Sequence, residues 1–184
     1  MSLHLRALRA FTLTAVAAST MLFTTTLSAQ SKPQTRQGFW ITAGLGVGSL
    51  GCDECDSRET GGTAQIALGG TLSPRLQLGA TSNAWSKKED GVTVTQSALM
   101  ALVKFYPSAT GGFFLQGGLG VGQLELKSGN ISFSEDGTSA LFGLGYDIRV
   151  GTNFSITPFL NGVAGSFDGD GANFNQLGIS LTWH

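Results

Sequence analysis

Two cysteines, Cys52 and Cys55, have the most specific spacing of any reactive residues in this sequence. In an exported protein, a close cysteine pair is typical of a disulfide. A zinc site needs more ligands than one Cys-x-x-Cys motif supplies, and neither histidine lies nearby. A thioredoxin-like redox site needs a βαβ unit, which the surrounding pattern lacks. We therefore predict a local disulfide between Cys52 and Cys55.

The sequence offers little material for catalysis or metal binding. Its histidines are His4, in the leading segment, and His184, the last residue. A Ser–His or Asp–His base arrangement therefore cannot be assembled among the charged loops. We predict that the protein is not an enzyme and holds no cofactor. Asp168 and Asp170 match part of a calcium loop but lack its final Glu, so a simple Gly–Asp turn is the main interpretation and a weak cation site is the alternative.

Three charged residues, Lys104, Asp147 and Arg149, fall on the polar faces of segments that alternate with apolar residues. A buried charge is costly unless an opposite charge accompanies it. These residues either form an internal ion cluster that plugs the floor of a barrel or reach a solvated rim. The sequence leaves both interpretations open.

The composition excludes several classes of protein. The chain has 184 residues, of which 27 are glycine and 12% are charged, with a net charge of −1 and a mean hydropathy of +0.14. Hydropathy this high with so little net charge argues against intrinsic disorder. The absence of a basic surplus argues against nucleic-acid binding. After the leading segment, no apolar run is long enough for a transmembrane helix.

The chain divides into three predicted regions. Residues 1–29 are typical of a secretory signal peptide, because Arg6 and Arg9 precede an apolar run that ends in small residues. Residues 30–37 are polar and predict a flexible lead-in. Residues 38–184 are predicted to form one barrel domain.

Alternation of apolar with small or polar residues runs through this domain and predicts β-strands. Residues 38–50 and 112–124 are similar in sequence, which favours two halves of four strands each. Eight strands are predicted, at 38–50, 63–72, 76–86, 98–106, 113–123, 140–150, 154–166 and 176–184. Short turns alternate with longer, charged loops at 52–62, 86–91, 127–137 and 167–173, where most of the acidic residues lie.

The two faces of these strands indicate the surroundings of the barrel. One face carries Leu, Ile, Val and Phe with almost no charge, whereas the other carries Gly, Thr, Ser, Gln and Asn. An apolar exterior around a polar interior is typical of a transmembrane barrel. Aromatic residues on the apolar face beside the short turns predict a girdle at one membrane interface: Phe39, Phe105, Phe113, Phe154 and Trp183. The predicted fold class is all-β, an eight-stranded antiparallel up-and-down transmembrane β-barrel.

With its GxGxG strand openings and its final strand LGISLTWH, the chain resembles the eight-stranded outer-membrane barrels of the OmpA/OmpX type over residues 38–184. The resemblance implies a bacterial outer-membrane location and contact with outer-membrane lipid. It also implies that Trp183 is the C-terminal aromatic residue recognised by the barrel-assembly machinery, although here His184 follows it.

The expected function follows from the size of the barrel. Eight strands enclose an interior that side chains just fill. We expect a monomeric protein with a structural or surface-interaction role, which acts through acidic extracellular loops on a surface ligand that the sequence does not identify. The alternatives are a narrow pore or small-ligand transporter, and a soluble periplasmic barrel that binds an apolar ligand.

Overall fold

A computed structural model describes residues 36–53, 55 and 57–184. The predicted signal peptide, 1–29, and most of the predicted lead-in lie outside the described residues. The described chain forms strands β1 (Phe39–Cys52), β2 (Glu59–Ser73), β3 (Leu76–Glu89), β4 (Val92–Phe105), β5 (Phe113–Ser128), β6 (Ile131–Tyr146), β7 (Ile148–Arg149), β8 (Phe154–Phe167) and β9 (Asp170–Trp183).

The strands close into an antiparallel barrel. Each pairs with its neighbour in the chain, and β1 pairs with β9 to complete the circle. The short β7 continues β6 along β8 in an unchanged register, so the two form one of eight barrel positions. The register places Pro158 opposite Tyr146 at the break between them, and proline has no N–H to donate to a strand ladder. The eight-stranded antiparallel barrel predicted from the sequence is confirmed.

The strands are longer than predicted at one end of the barrel. Three of the four predicted long loops are hairpins whose strands run on to two-residue turns, at 90–91, 129–130 and 168–169. Asp90 and Gly91 both have positive φ values, 48° and 82°, as the tight turn of a twisted hairpin requires. Only residues 53–58 remain as a longer connection. We call the end of the barrel that carries these turns the hairpin end. The opposite end has connections at 74–75, 106–112 and 150–153 and the last residue of the chain, and we call it the short-turn end.

The side chains alternate as predicted along each strand. Large apolar residues project outward and stay exposed, among them Leu45, Leu119, Phe142 and Leu177. The predicted aromatic girdle is likewise exposed on the outer face, where the rings of Phe39 and Trp183 lie 6.4 Å apart. In the described part of the chain, no helix has the length and hydropathy to cross a membrane.

The interior is packed with side chains rather than open. Its larger members include Trp40, Trp85, Phe114, Phe167 and Phe174, all nearly inaccessible. Glycines let these rings approach the barrel wall: a Cβ on Gly61 would overlap the Trp85 ring, and one on Gly165 would overlap the Phe167 ring.

Candidate functional site: the filled lumen and the hairpin end

Asp147 is the centre of a polar cluster at the short-turn end of the lumen. Its backbone N–H donates to the Gly112 carbonyl, which continues the register between β5 and β6 by one pair. Its buried carboxylate accepts a hydrogen bond from the Tyr106 hydroxyl at 2.9 Å and another from the Thr157 hydroxyl at 2.7 Å. These two bonds occupy acceptor sites of a side chain that water does not reach.

Lys104 is buried beside this carboxylate. Its Nζ lies 4.4 Å from the centre of the Trp40 ring and 5.0 Å from that of Phe114. Aromatic faces attract cations, and the attraction grows when water is excluded. Two rings and the charge of Asp147 therefore offset part of the cost of burying this ammonium group.

Arg36 completes the cluster, and sequence analysis did not single it out. It lies in the predicted flexible lead-in, yet its side chain is buried and its guanidinium carbon is 3.4 Å from the centre of the Tyr106 ring. The guanidinium also donates to the carbonyls of Pro74, Ala109 and Gly111, which belong to two of the short turns. Arg36 thus closes the lumen at the short-turn end. A single arginine in a polar segment carries no signal of such a role.

Arg149 takes a different position from the other two residues of the predicted cluster. It is half-buried, and its guanidinium donates to the carbonyls of Gly151 and Thr152 in the last short turn. The structure therefore places Lys104 and Asp147 in the enclosed floor and Arg149 at its edge. We call Arg36, Lys104, Tyr106, Asp147 and Thr157 the floor cluster.

Above the floor cluster, side chains span the lumen. The Gln116 amide donates to Asn161 at 2.6 Å, and the Asn161 amide donates to Gln65 at 3.0 Å, so one chain of hydrogen bonds crosses from β5 through β8 to β2. Higher still, the Trp85 indole donates to the Gly48 carbonyl and the Gln96 amide to the Ala172 carbonyl. Three successive layers thus obstruct the lumen.

A serine–histidine pair does occur, but at the short-turn end. Ser155 Oγ lies 3.1 Å from His184 Nε2. Ser155 is inaccessible, so no substrate reaches its hydroxyl. Burial lowers the pKa of His184 from 6.5 to about 4, against the opposing attraction of Asp147. A half-buried, weakly basic imidazole is a poor general base at neutral pH.

Several contacts fix the connection between β1 and β2, the first one at the hairpin end, to the neighbouring strands. A disulfide joins Cys52 and Cys55, whose Cα atoms are 5.1 Å apart. Arg58 donates to Ser49 and to Asn173, which ties the loop to β1 and β9. The Asp53 carboxylate accepts from the Gly171 N–H at 3.1 Å.

The other predicted site residues, Asp168, Asp170 and Trp183, lie away from the floor cluster. Asp168 occupies a hairpin turn with a φ of 46°, next to the exposed Asp170. No cluster of three or more potential metal ligands exists among the residues that the structure describes. Trp183 lies in the aromatic girdle at the end of β9.

Near the hairpin end, the apolar side chains of β4, β5 and β6 switch from the outward face of the barrel to the inward face. Lower on these strands the outward residues are apolar, as at Leu99, Leu119 and Phe142. Higher up, the alternation puts polar residues outside and apolar residues inside: Thr93, Gln123, Lys127 and Ser134 against Val92, Val94, Leu126 and Phe133. Val94 packs against the interior cluster, as this inversion requires. An inversion of this kind is expected at the level where the surroundings of a transmembrane barrel change from lipid to water.

The hairpin end is also the acidic end. It holds nine described carboxylates, Asp53, Glu59, Glu89, Asp90, Glu125, Glu135, Asp136, Asp168 and Asp170, and four cations, Arg58, Lys87, Lys88 and Lys127. Lys87 bridges Glu59 at 2.7 Å and also contacts Glu89, and these hydrogen bonds raise its pKa well above the usual range.

Comparison with known proteins identifies the family. The sequence-family model named outer membrane protein beta-barrel domain matches residues 15–184 of the chain. No curated protein sequence matches the chain. Among solved structures, Neisserial surface protein A is similar, with a TM-score of 0.65 and 12% identity over 82% of this chain and 99% of that chain. Ail, the attachment invasion locus protein of Yersinia pestis, is similar with a TM-score of 0.54 and 16% identity over 80% of this chain and 99% of that chain.

Proposed function

This chain belongs to the outer membrane protein beta-barrel family, and we propose that it is a monomeric, non-conducting barrel whose hairpin end takes part in interactions at the cell surface. The observation that carries the proposal is the filled lumen. The floor cluster, the Gln116–Asn161–Gln65 chain and the layer around Trp85 occupy successive heights. With the interior occupied, the features available for function are those displayed above the membrane.

The orientation in the membrane follows from the two ends. Barrels of this class keep short turns on the periplasmic side and longer excursions of the chain outside. Three turns of the hairpin end have only two residues, but the excursions are longer there because β4, β5 and β6 run on beyond the apolar belt. The girdle at Phe39 and Trp183 then lies at the periplasmic interface, and the hairpin end faces the exterior. The proposed partners are outer-membrane lipid along the apolar belt and the assembly machinery at Trp183.

The acidic hairpin end favours some surface partners over others. A solved structure of Ail contains the heparin analogue sucrose octasulfate. Here carboxylates outnumber cations at the hairpin end, so a polyanion is repelled and a cationic or apolar partner is favoured. The proposal includes no enzymatic step, because the Ser155 hydroxyl beside His184 is inaccessible.

Two measurements test the proposal. The refolded protein is inserted into planar bilayers, where it is expected to show no unit conductance; stable channels would instead support the narrow pore. Orientation is tested on intact cells with Lys127→Cys and the matched Arg75→Cys at the short-turn end. A membrane-impermeant maleimide is expected to label only Lys127→Cys, and labelling of Arg75→Cys alone would contradict the orientation.

A further inference from the structure

We propose that a groove on the outer face of β3, β4 and β5, near the short-turn end, binds one anionic phospholipid of the surrounding membrane. One acyl chain lies in the groove, and the phosphate lies against Arg75 at its mouth. The inference goes beyond the proposed surface role. It uses the proposed orientation only to assign the lipid to the periplasmic leaflet.

The groove is an indentation in the apolar belt. Its volume is about 640 Å³, within the range of about 300–1,000 Å³ that is usual for small-ligand sites. Gly117 and Ala101, whose side chains are absent or short, form its base, and larger exposed side chains surround them: Leu78, Phe105 and Phe142. The belt is therefore hollow at this place, where an acyl chain has room to lie.

The glycine at the base of the groove is not required by the packing of the barrel. A Cβ on Gly117 would meet the Leu141 carbonyl oxygen at 3.7 Å, which is an ordinary contact, and nothing closer. By contrast, a Cβ on the neighbouring Gly118 would lie 2.6 Å from the Ala101 carbonyl oxygen. The barrel thus has room for a larger residue at position 117, and the glycine there keeps the groove open.

The length and lining of the groove suit one acyl chain that enters from the short-turn end. From Phe105 to Ala101 along β4 it spans roughly 14 Å at about 3.4 Å per residue, close to the hydrocarbon depth of one leaflet, about 15 Å. Higher on the same strands, the outward side chains include the polar Ser82, Ser97 and Gln123. The chain therefore ends within the belt, and its headgroup lies at the short-turn mouth.

Arg75 is in position to bind the phosphate of this lipid. Its carbonyl accepts a hydrogen bond from the Tyr106 N–H at 2.8 Å, so Arg75 lies beside Phe105, where the groove opens. Its side chain is exposed, and its guanidinium forms no ion pair or hydrogen bond with the residues that the structure describes. An arginine fork matches two oxygens of a phosphate group at once.

The charge around this mouth favours a headgroup that is negative overall. At the short-turn end, the described side chains include one carboxylate, Asp147, and four cations: Arg36, Arg75, Lys104 and Arg149. Basic residues near a membrane surface attract anionic lipid. Apolar contact by itself does not favour one place on the belt over another, because lipid tails are as apolar as the side chains. The fit of the chain and the charge at Arg75 together select this place.

The experiment uses the full barrel in a non-ionic detergent, to which phosphatidylglycerol is added in small excess. Native mass spectrometry counts the lipids that each barrel retains, and we expect one. Phosphatidylethanolamine with the same chains carries an ammonium group that cancels the charge of its phosphate, so we expect its retention to be about fivefold lower. Glycerol phosphate, which has no chains, is expected not to be retained.

Matched variants locate the chain in the groove. Ala101→Leu fills the base and is expected to lower the retention of phosphatidylglycerol about fivefold, because the chain loses dispersion contacts. Ala43→Leu makes the same change on the outward face of β1, three strands away, and is expected to leave retention within about twofold. Heat-modifiable migration shows whether each variant is folded. If Ala101→Leu is not, Gly117→Val fills the groove at a position that has room for it.

A second pair of variants tests the phosphate contact. Arg75→Gln is expected to abolish the preference for phosphatidylglycerol over phosphatidylethanolamine. Lys127→Gln removes a cation at the hairpin end and is expected to preserve that preference. Equal losses of retention in Ala101→Leu and Ala43→Leu would overturn the proposal, as would an unchanged preference in Arg75→Gln. Barrel dimers in place of retained lipid would also overturn it, since they would assign the groove to a second copy of the chain.

The conductance of the same preparation separates this inference from the proposed function. A silent barrel that retains no phosphatidylglycerol contradicts the lipid site and leaves the proposed function intact. A barrel that retains the lipid and conducts contradicts the proposed function alone.

Discussion

Of the described side-chain carboxylates, Asp147 alone lies at the short-turn end, among Arg36, Lys104 and Arg149. Asp147→Ala would leave the buried Lys104 and Arg36 without a nearby carboxylate and take the acceptor from Tyr106 and Thr157. Lys104→Ala would leave the carboxylate with both hydroxyl donors. We expect Asp147→Ala to lower the free energy of unfolding by about 1–3 kcal/mol more than Lys104→Ala does. Urea titration of the refolded protein measures it, and equal midpoints would mean that the floor is solvated.

His184 gives this end of the barrel a pH dependence. Its pKa lies near 4 in the folded barrel, because burial disfavours the charged imidazole, and near 6.5 when exposed. The unfolded chain therefore takes up a proton between these values while the folded barrel does not, so stability is full above about pH 6.5 and falls as the pH drops towards 4. We expect the urea midpoint of the wild type to fall more over this interval than that of His184→Gln. Parallel curves would show that His184 does not titrate differently on folding.

On the scale of single strands, β5 passes through two environments. Leu119 lies in the outward apolar belt, and Glu125 lies on the same face six residues higher, beyond the inversion. We expect Leu119→Arg to cost about 2–4 kcal/mol in lipid vesicles, whereas Glu125→Arg should change the free energy of unfolding by about 0.5 kcal/mol or less. Similar costs at both positions would mean that the lipid boundary is misplaced. A lumen glycine is not a neutral control, because a Cβ on Gly143 would overlap Asn161 and the Leu160 carbonyl.

The first connection of the hairpin end illustrates redundancy within one element. The disulfide closes only a very small ring, so its entropic effect on the unfolded chain is at the low end of the range for disulfides. Arg58 and Asp53 also hold the loop to β1 and β9. We expect the double variant Cys52→Ser/Cys55→Ser to leave the urea midpoint nearly unchanged and to speed amide exchange only around residues 52–58. A large fall in the midpoint would show that the loop is part of the cooperative unit.

The sequence was sufficient for the barrel but not for its upper hairpins. Alternation identifies a strand when one face is apolar throughout, as along residues 113–121. Above the belt, the apolar residues lie on the other face and charged residues appear, so the pattern at residues 127–137 predicts a loop. Cross-strand pairing, which sequence alone does not display, extends those strands to two-residue turns. Arg36 was missed for a similar reason, since its role depends on carbonyls 38 to 75 residues away.

In the whole molecule, the basic side chains of the floor cluster lie at the short-turn end, and most of the described carboxylates lie at the hairpin end. Lumen charge and surface charge therefore have different surroundings: the floor cluster is enclosed within the barrel, whereas the hairpin-end carboxylates are mostly exposed, and we propose that they select what approaches from outside. Long-range selection of this kind weakens as salt screens the surface, but the enclosed floor cluster is much less sensitive to salt.

The filled lumen leads to a prediction about gating that separates the two candidate functions. If the floor cluster were the only obstruction, removing it would open a pore. The structure instead places the Gln116–Asn161–Gln65 chain and the Trp85 layer above it, and these do not depend on Arg36 or Tyr106 for their hydrogen bonds. We therefore expect the double variant Arg36→Ala/Tyr106→Ala, once its heat-modifiable migration has shown that it is folded, to remain as silent as the wild type in planar bilayers. Its urea midpoint should fall nonetheless, because a buried cation–π contact worth about 2 kcal/mol is lost. Discrete channel openings in this variant alone would identify the floor as a gate and the protein as a narrow pore held shut by its own N-terminal arginine.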